Sequence, residues 1–115
     1  MGNLTKDFSR YEFECKDGCG YSEINLFLVH RLQVVRDILN APITVLSGCR
    51  CWQHNKDVGG ASESKHLDGD AVDWTVEDPD ILEAAANLLT RWSGGFHYYP
   101  HKKFIHCDVG RERRW

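Results

Sequence analysis

Two short runs in this chain hold residue types at spacings that bear on chemistry. The first is Ser64-Lys65-His66-Leu67-Asp68-Gly69-Asp70-Ala71-Val72-Asp73, and the second is Phe104-Ile105-His106-Cys107-Asp108-Val109-Gly110. Neutral imidazole and carboxylate both bind zinc well. Two ligands on one helix face stand three or four residues apart. His66 and Asp73 are seven apart, so a turn must separate them, and Gly69 supplies one. His66 then comes from a loop and Asp73 from the strand after it. The second run offers a third ligand: strand alternation puts Phe104, His106 and Asp108 on one face, where Asp108 can orient the His106 imidazole. Three protein ligands and one water make a catalytic zinc site. Spacing alone leaves a second reading open, that of ordinary polar histidines beside loops, because no helix-borne metal motif is present.

Other reactive side chains give weaker signals. Ser47 and Ser64 lie in no G-x-S-x-G elbow, so Ser64 is read as shaping the loop or supporting the metal site. The five cysteines are Cys15, Cys19, Cys49, Cys51 and Cys107. An odd count behind an N-terminus with no apolar leader speaks against a secreted disulfide scaffold and for a reducing compartment. Cys15, Cys19, Cys49 and Cys51 together make a conceivable four-thiolate zinc site. Neither pair has C-x2-C spacing, and the preferred reading is of buried, inert cysteines.

The elements that must hold these residues follow from periodicity. Ile24, Leu28, Leu32, Val35 and Leu39 line one face of a helix expected over Ser22–Asn40, with Ser22 as its N-cap and Asn40-Ala-Pro42 as its stop. Ile43-Thr-Val-Leu46 predicts a short strand. Ser47–Gly69 is polar and glycine-rich and predicts a long functional loop. Asp70–Trp74 predicts a strand, and Asp78-Pro79 opens a second helix with Ile81, Leu82, Ala85, Leu88, Leu89 and Trp92 inward. Ser93-Gly94-Gly95 ends it, and Phe96–Tyr99 and Lys103–Val109 predict two more strands joined through Pro100. The order implies one α+β domain over residues 1–115, with a small, mostly antiparallel sheet and helices on one face. Trp74, Trp92 and Phe96 are expected in the core. Trp52 is a loop aromatic, His30 is structural, His54 braces the loop and Asp68 is solvated. Tyr98 and Tyr99 adjoin the candidate site, where one lines the groove and the other packs.

Composition narrows the function classes. The chain has 115 residues and a formal net charge of -3, so no global basic field exists to hold nucleic acid. Arg111–Arg114 is locally basic but too short to form a groove. No apolar run reaches the length of a membrane span, and Lys6 occupies the position where a myristoylation motif needs Ser or Thr. The expected protein is a monomer made in the cytoplasm without a signal peptide.

The motifs together resemble the D-Ala-D-Ala carboxypeptidase branch of the LAS zinc metallopeptidases, the group that joins lysostaphin-type enzymes, D-Ala-D-Ala peptidases and hedgehog zinc domains. The family pattern S-x-H-x-x-G-x-A-x-D stands as Ser64, His66, Gly69, Ala71 and Asp73. The pattern F-[IV]-H-x-D-x-G stands as Phe104, Ile105, His106, Asp108 and Gly110. Upstream, S-G-x-R, H-N and V-G-G-A-x-x-S stand as Ser47, Gly48, Arg50, His54, Asn55, Val58, Gly59, Gly60, Ala61 and Ser64, and Phe8–Cys15 is similar to the opening of small phage and bacterial members. The resemblance implies one Zn²⁺ on His66, Asp73 and His106, with Asp108 behind them. It implies that Arg50 faces a substrate carboxylate, which its fixed guanidinium fork matches. Many members carry Glu three residues before the last ligand, where this chain has Lys103. Some use a His five residues before it, which makes His101 the expected proton carrier and His97 the reserve. The implied activity is hydrolysis of peptidoglycan stem peptides, either at terminal D-Ala-D-Ala or at an internal bond such as L-Ala-D-Glu, and the small size fits a phage lysis enzyme acting on the cell wall. The alternative that Lys103 raises is a zinc-binding module that recognises cell-wall peptides without cutting them.

Overall fold

A five-stranded sheet in the order β1-β2-β4-β3-β5 forms the frame. In the computed structural model, which describes residues 2–115, the strands are β1 Thr44–Ser47, β2 Ala71–Thr75, β3 Gly95–Tyr99, β4 Phe104–Asp108 and β5 Arg113–Arg114. All neighbours pair antiparallel except β3 and β5. Three α-helices accompany them: α1 Leu26–Leu39, α2 Trp52–Asp57 and α3 Pro79–Leu88. The α+β architecture with a mostly antiparallel sheet is therefore the one expected, and among the described residues no helix is long and apolar enough to cross a membrane.

Strand alternation divides the sheet into two chemically distinct faces. Val72, Trp74, Ile105, Cys107 and Phe96 join Leu28, Val29 and Leu32 of α1 and Leu82, Ala85 and Ala86 of α3 in one core cluster. Each fully buried Val, Leu or Ile among them stabilises the fold by roughly 1.5–3 kcal/mol. Trp92 and Phe96 also lie in the core, as the apolar periodicity predicts. The opposite face carries Asp73, Phe104, His106 and His97.

Several boundaries differ from the periodic reading. Helix α1 starts at Leu26 rather than near Ser22, because the Asn25 side chain accepts from the backbone N–H of Phe27 and Leu28 and acts as the N-cap. Ile24 is buried but precedes the helix. Asn40 ends α1 in the left-handed conformation, φ 51°, as a C-terminal stop should. Asp78 and Pro79 open α3 as expected. Leu88, assigned to the buried stripe, is exposed, because α3 ends there and a single 3₁₀ turn, Leu89–Arg91, takes over.

The expected long loop is instead partly ordered. Cys51 caps α2, its sulfur accepting from the His54 N–H, and a 3₁₀ turn forms over Lys65–Asp68. That turn ends at Gly69, φ 71°, where an added Cβ would overlap the carbonyl oxygen of Glu23. The Gly69 carbonyl in turn accepts from Asn25 N–H at 2.8 Å, linking the cap of α1 to the loop that carries His66. Gly69→Ala is expected to cost at least about 2 kcal/mol, since left-handed backbone strain and overlap with fixed backbone add. A urea titration measures it, and a cost near zero would reject this account of the turn.

Candidate functional site

The polar face of the sheet assembles the site through its register. Asp73 of β2 is the partner of His106 of β4, and His106 is the partner of His97 of β3. Three polar residues thus stand in a row across adjacent strands, about 5 Å apart at the backbone. His66 reaches the same place from the 3₁₀ turn. Ser64 caps that turn, with its Oγ accepting from His66 N–H at 3.2 Å, which explains why a serine stands two residues before the histidine.

The ligand atoms of His66, Asp73 and His106 all lie within 4.8 Å of one another. His66 Nε2 is 3.3 Å from Asp73 Oδ2, and His106 Nδ1 is 2.8 Å from Asp73 Oδ1. The other nitrogen of each ring is already engaged. His66 Nδ1 is 2.7 Å from the Gly48 carbonyl oxygen, and His106 Nε2 is 2.8 Å from Asp108 Oδ2. A carbonyl and a carboxylate only accept, so these outer nitrogens carry protons, which leaves the inner nitrogens as the ones that would offer lone pairs to a metal ion. Two imidazole nitrogens and a carboxylate converging on one point fit zinc.

Electrostatics agree with that arrangement. Burial alone would raise the Asp73 carboxyl, but hydrogen bonds from His106 and His66 override it and hold the group well below the usual carboxylate range. Burial would likewise lower His106, yet the carboxylates of Asp108 and Asp73 on its two sides raise it. An imidazole between two anions is a place where positive charge accumulates. Burial, and then His106, push His97 below its ordinary value.

Asp108 is fully buried and saturated with donors. Its Oδ1 accepts from Gly95 N–H at 2.9 Å and Gly110 N–H at 3.0 Å, and its Oδ2 accepts from His106 and from Arg113. Gly95 must be glycine here, because a Cβ would overlap the Asp108 carboxylate.

A cavity of about 480 Å³ opens over these groups, a size suited to a small ligand or one stretch of peptide. Arg50, Ser64, His66, Asp73, Tyr99, His106 and Asp108 all line it. Arg50 is held through three of its five N–H groups: Nε donates to Ser47 Oγ, Nη1 to Asn55 Oδ1 and Nη2 to Asp73 Oδ2. Asn55 is itself buried and donates to the Ala61 carbonyl, so the H-N and V-G-G-A motifs are the brace behind Arg50. His101 is placed elsewhere. It sits in the exposed turn between β3 and β4 and does not line the cavity, and neither does His97.

Sequence reasoning missed Glu63, Lys102, Arg113 and Trp115, all of which line the cavity. The Trp115 ring lies nearly parallel to His97, at 8° and 5.2 Å between centroids, and meets His106 edge-on at the same separation. Only the short basic run before Trp115 hinted at this. Its pairing with Asp108 is a tertiary event that leaves no local signature.

The chain matches the family described as Peptidase M15 over residues 4–108. It is 32% identical over 79 residues to the peptidoglycan L,D-endopeptidase MepK of Escherichia coli K12, an alignment covering 64% of this chain and 43% of that protein. It is 31% identical over 97 residues to the probable peptidoglycan L,D-endopeptidase MepK of Haemophilus influenzae, covering 79% of this chain and 52% of that one. The chain thus spans about half the length of these curated relatives.

Proposed function

The chain belongs to the peptidase M15 family, and from that premise we propose that it hydrolyses peptide bonds in peptidoglycan stem peptides, using one zinc ion held by His66, Asp73 and His106. The observation that carries this reading is the convergence of those three ligand atoms, with the outer nitrogen of each imidazole already donating to an acceptor. When bound, zinc lowers the pKa of a coordinated water to about 7 and polarises a scissile carbonyl. The names of the relatives make an internal L,D bond the expected cleavage, ahead of terminal D-Ala-D-Ala.

The remaining work falls to the side chains around the ion. Gly48 and Asp108 fix the tautomers of the two histidines, so each presents a lone pair without reorganising. Arg50 keeps two N–H groups beyond those engaged with Ser47, Asn55 and Asp73, and these suit a substrate carboxylate or carbonyl. Tyr99 and Trp115 supply aromatic walls for a peptide, and Ser64 lies on the same lining. Proton transfer is assigned to His101, which sits in the turn 100–103 beside Lys102, a residue of the cavity lining. Glu63, an exposed carboxylate already on the lining, is its competitor.

The test is metal analysis combined with mass spectrometry of a peptidoglycan digest, before and after chelation. A defined fragment released only by the metal-loaded protein supports the peptidase and identifies the bond. Bound zinc without release favours the recognition module, for which Lys103 at the usual glutamate position is the supporting observation. Lys103 is exposed, and its φ of 57° places it in a tight turn outside the cavity lining.

Two variants probe the assignments. His101→Ala is expected to lower turnover by at least about tenfold while zinc stays bound. Full turnover moves the proton-transfer role to Glu63, and Glu63→Gln then carries the loss. Arg50→Ala is expected to weaken apparent substrate affinity by about tenfold or more, the contribution of one charge-assisted contact. An unchanged KM rejects the anchor.

A further inference from the structure

A second group of metal-binding side chains lies outside the site above. Cys15, Asp17, Cys19 and Cys51 place three sulfurs and a carboxylate oxygen within 4.8 Å of one another. They come from two segments far apart in sequence: the turn after Phe13, and the residue that caps α2. The turn is shaped by its own hydrogen bonds, Cys15 N–H to Tyr21 O at 2.8 Å and Gly18 N–H to Cys15 O at 3.3 Å. Asp17 Oδ1 accepts from Cys19 N–H at 2.9 Å, while its Oδ2 lies 3.0 Å from Cys51 Sγ. Cys15 Sγ accepts from Cys51 N–H and Cys51 Sγ accepts from His54 N–H, each at 3.4 Å. Each of these two sulfurs thus accepts a backbone N–H, which fixes its position beside the others.

This arrangement departs from the set that sequence spacing offered. Cys49 is buried in the hydrophobic core, and Asp17 stands in its place beside the other three thiols. Cys19 is exposed and Cys51 partly so, which does not suit cysteines serving only as small buried hydrophobes. All three thiols are free. A disulfide would use two and strand the third beside a carboxylate, whereas a tetrahedral ion uses all four groups. With Zn–S bonds near 2.3 Å, tetrahedral ligands stand about 3.8 Å apart, so the four groups close onto an ion with side-chain adjustment alone.

We infer that Cys15, Cys19, Cys51 and Asp17 form a second metal site, which takes zinc and acts structurally. Binding releases the thiol protons to solvent and transfers no electrons. The ion clamps the N-terminal turn onto the segment between β1 and α2. Arg50 lies in that segment next to Cys51, and its N–H donates to the His66 carbonyl at 3.0 Å. The clamp therefore holds the residue that faces the cavity, and it does so whether or not the protein is a peptidase.

The test uses the whole chain, purified and kept under reductant. Zinc is counted by atomic emission, and Co²⁺ is then substituted and its spectrum recorded. The expected result is about two zinc equivalents and a sulfur-to-cobalt charge-transfer band in the near ultraviolet. Cys19→Ser and Cys51→Ser, both at solvent-accessible positions, should each lose about one equivalent and the band, with circular dichroism confirming the fold. His106→Ala should keep the band while losing the other equivalent. A wild-type chain with no thiolate band overturns the proposal, as does a band that survives in the Cys19→Ser/Cys51→Ser double variant, or a disulfide among these cysteines in reductant-purified protein. Failure of the peptidase reading looks different: the band persists and no fragment is released.

Discussion

His106→Ala is expected to reduce hydrolysis of stem peptides by at least about a thousandfold. The substitution removes Nδ1 from the three candidate ligand atoms, and it leaves Asp73 and Asp108 without the imidazole that stands between them. Metal-assisted stabilisation is worth several kcal/mol, and a loss of about 4 kcal/mol is about a factor of a thousand in rate. The same variant should lose the zinc assigned to this site, which separates it from Arg50→Ala, where the metal stays. Measurement of kcat/KM together with metal content decides the matter. A variant that keeps a tenth of wild-type activity would remove His106 from the ligand set.

Asp108→Ala should destabilise the fold by about 3–5 kcal/mol, measured by denaturant titration. Its carboxylate is fully buried and accepts from two backbone N–H groups, from His106 and from Arg113. Truncation leaves those donors facing a void, and breaking a buried ion pair from one side costs about this much. Asp108→Asn preserves the shape but places a donor against His106 or Arg113. It should therefore fold and show metal affinity reduced about 10–100-fold, the usual effect of losing the group behind a ligand histidine. The pH dependence follows from the same contacts. Burial would raise the Asp108 carboxyl, but hydrogen bonds from His106, Gly95 and Gly110 hold it well below the ordinary carboxylate range. A group with a depressed folded pKa contributes stability above its unfolded pKa, about 3.9, and that stability is lost as pH falls toward the folded value. Stability measured between neutral pH and pH 3 should fall less steeply in Asp108→Asn than in the wild type. Equal slopes would reject Asp108 as a source of the acid sensitivity.

Much of the frame was legible because it rests on local rules. Period-two alternation in Phe104–Asp108 correctly put His106 and Asp108 on the face opposite Ile105 and Cys107. Asp78-Pro79 and Asn40 marked helix ends through capping chemistry that needs no tertiary partner. What stayed hidden depends on distant contacts. Helix α2 has no apolar stripe, and only Asn55 in it is buried, so periodicity had nothing to register. Asn25 outcompetes Ser22 as a cap because its side chain also donates to Asp70 across the chain. Strand β5 is two residues long and pairs parallel beside Gly95, and the contacts of Arg113 and Trp115 with the site follow from that pairing. In the cavity lining, the family resemblance favoured His101, whereas the turn that carries it folds outward and brings Lys102 to the wall instead.

The two-faced sheet also bears on how the chain avoids misassembly. Along β4, core residues and site residues strictly alternate, and the same holds for β2 through Val72, Asp73 and Trp74. A slip of one residue between these strands turns Ile105 toward water and His106 into the apolar layer. Such a slipped sheet loses its core and the convergence of His66, Asp73 and His106 in the same event. A cation held by His66, Asp73 and His106 would therefore proofread strand pairing, since it would bind one alignment only and draw the folding population toward it by mass action.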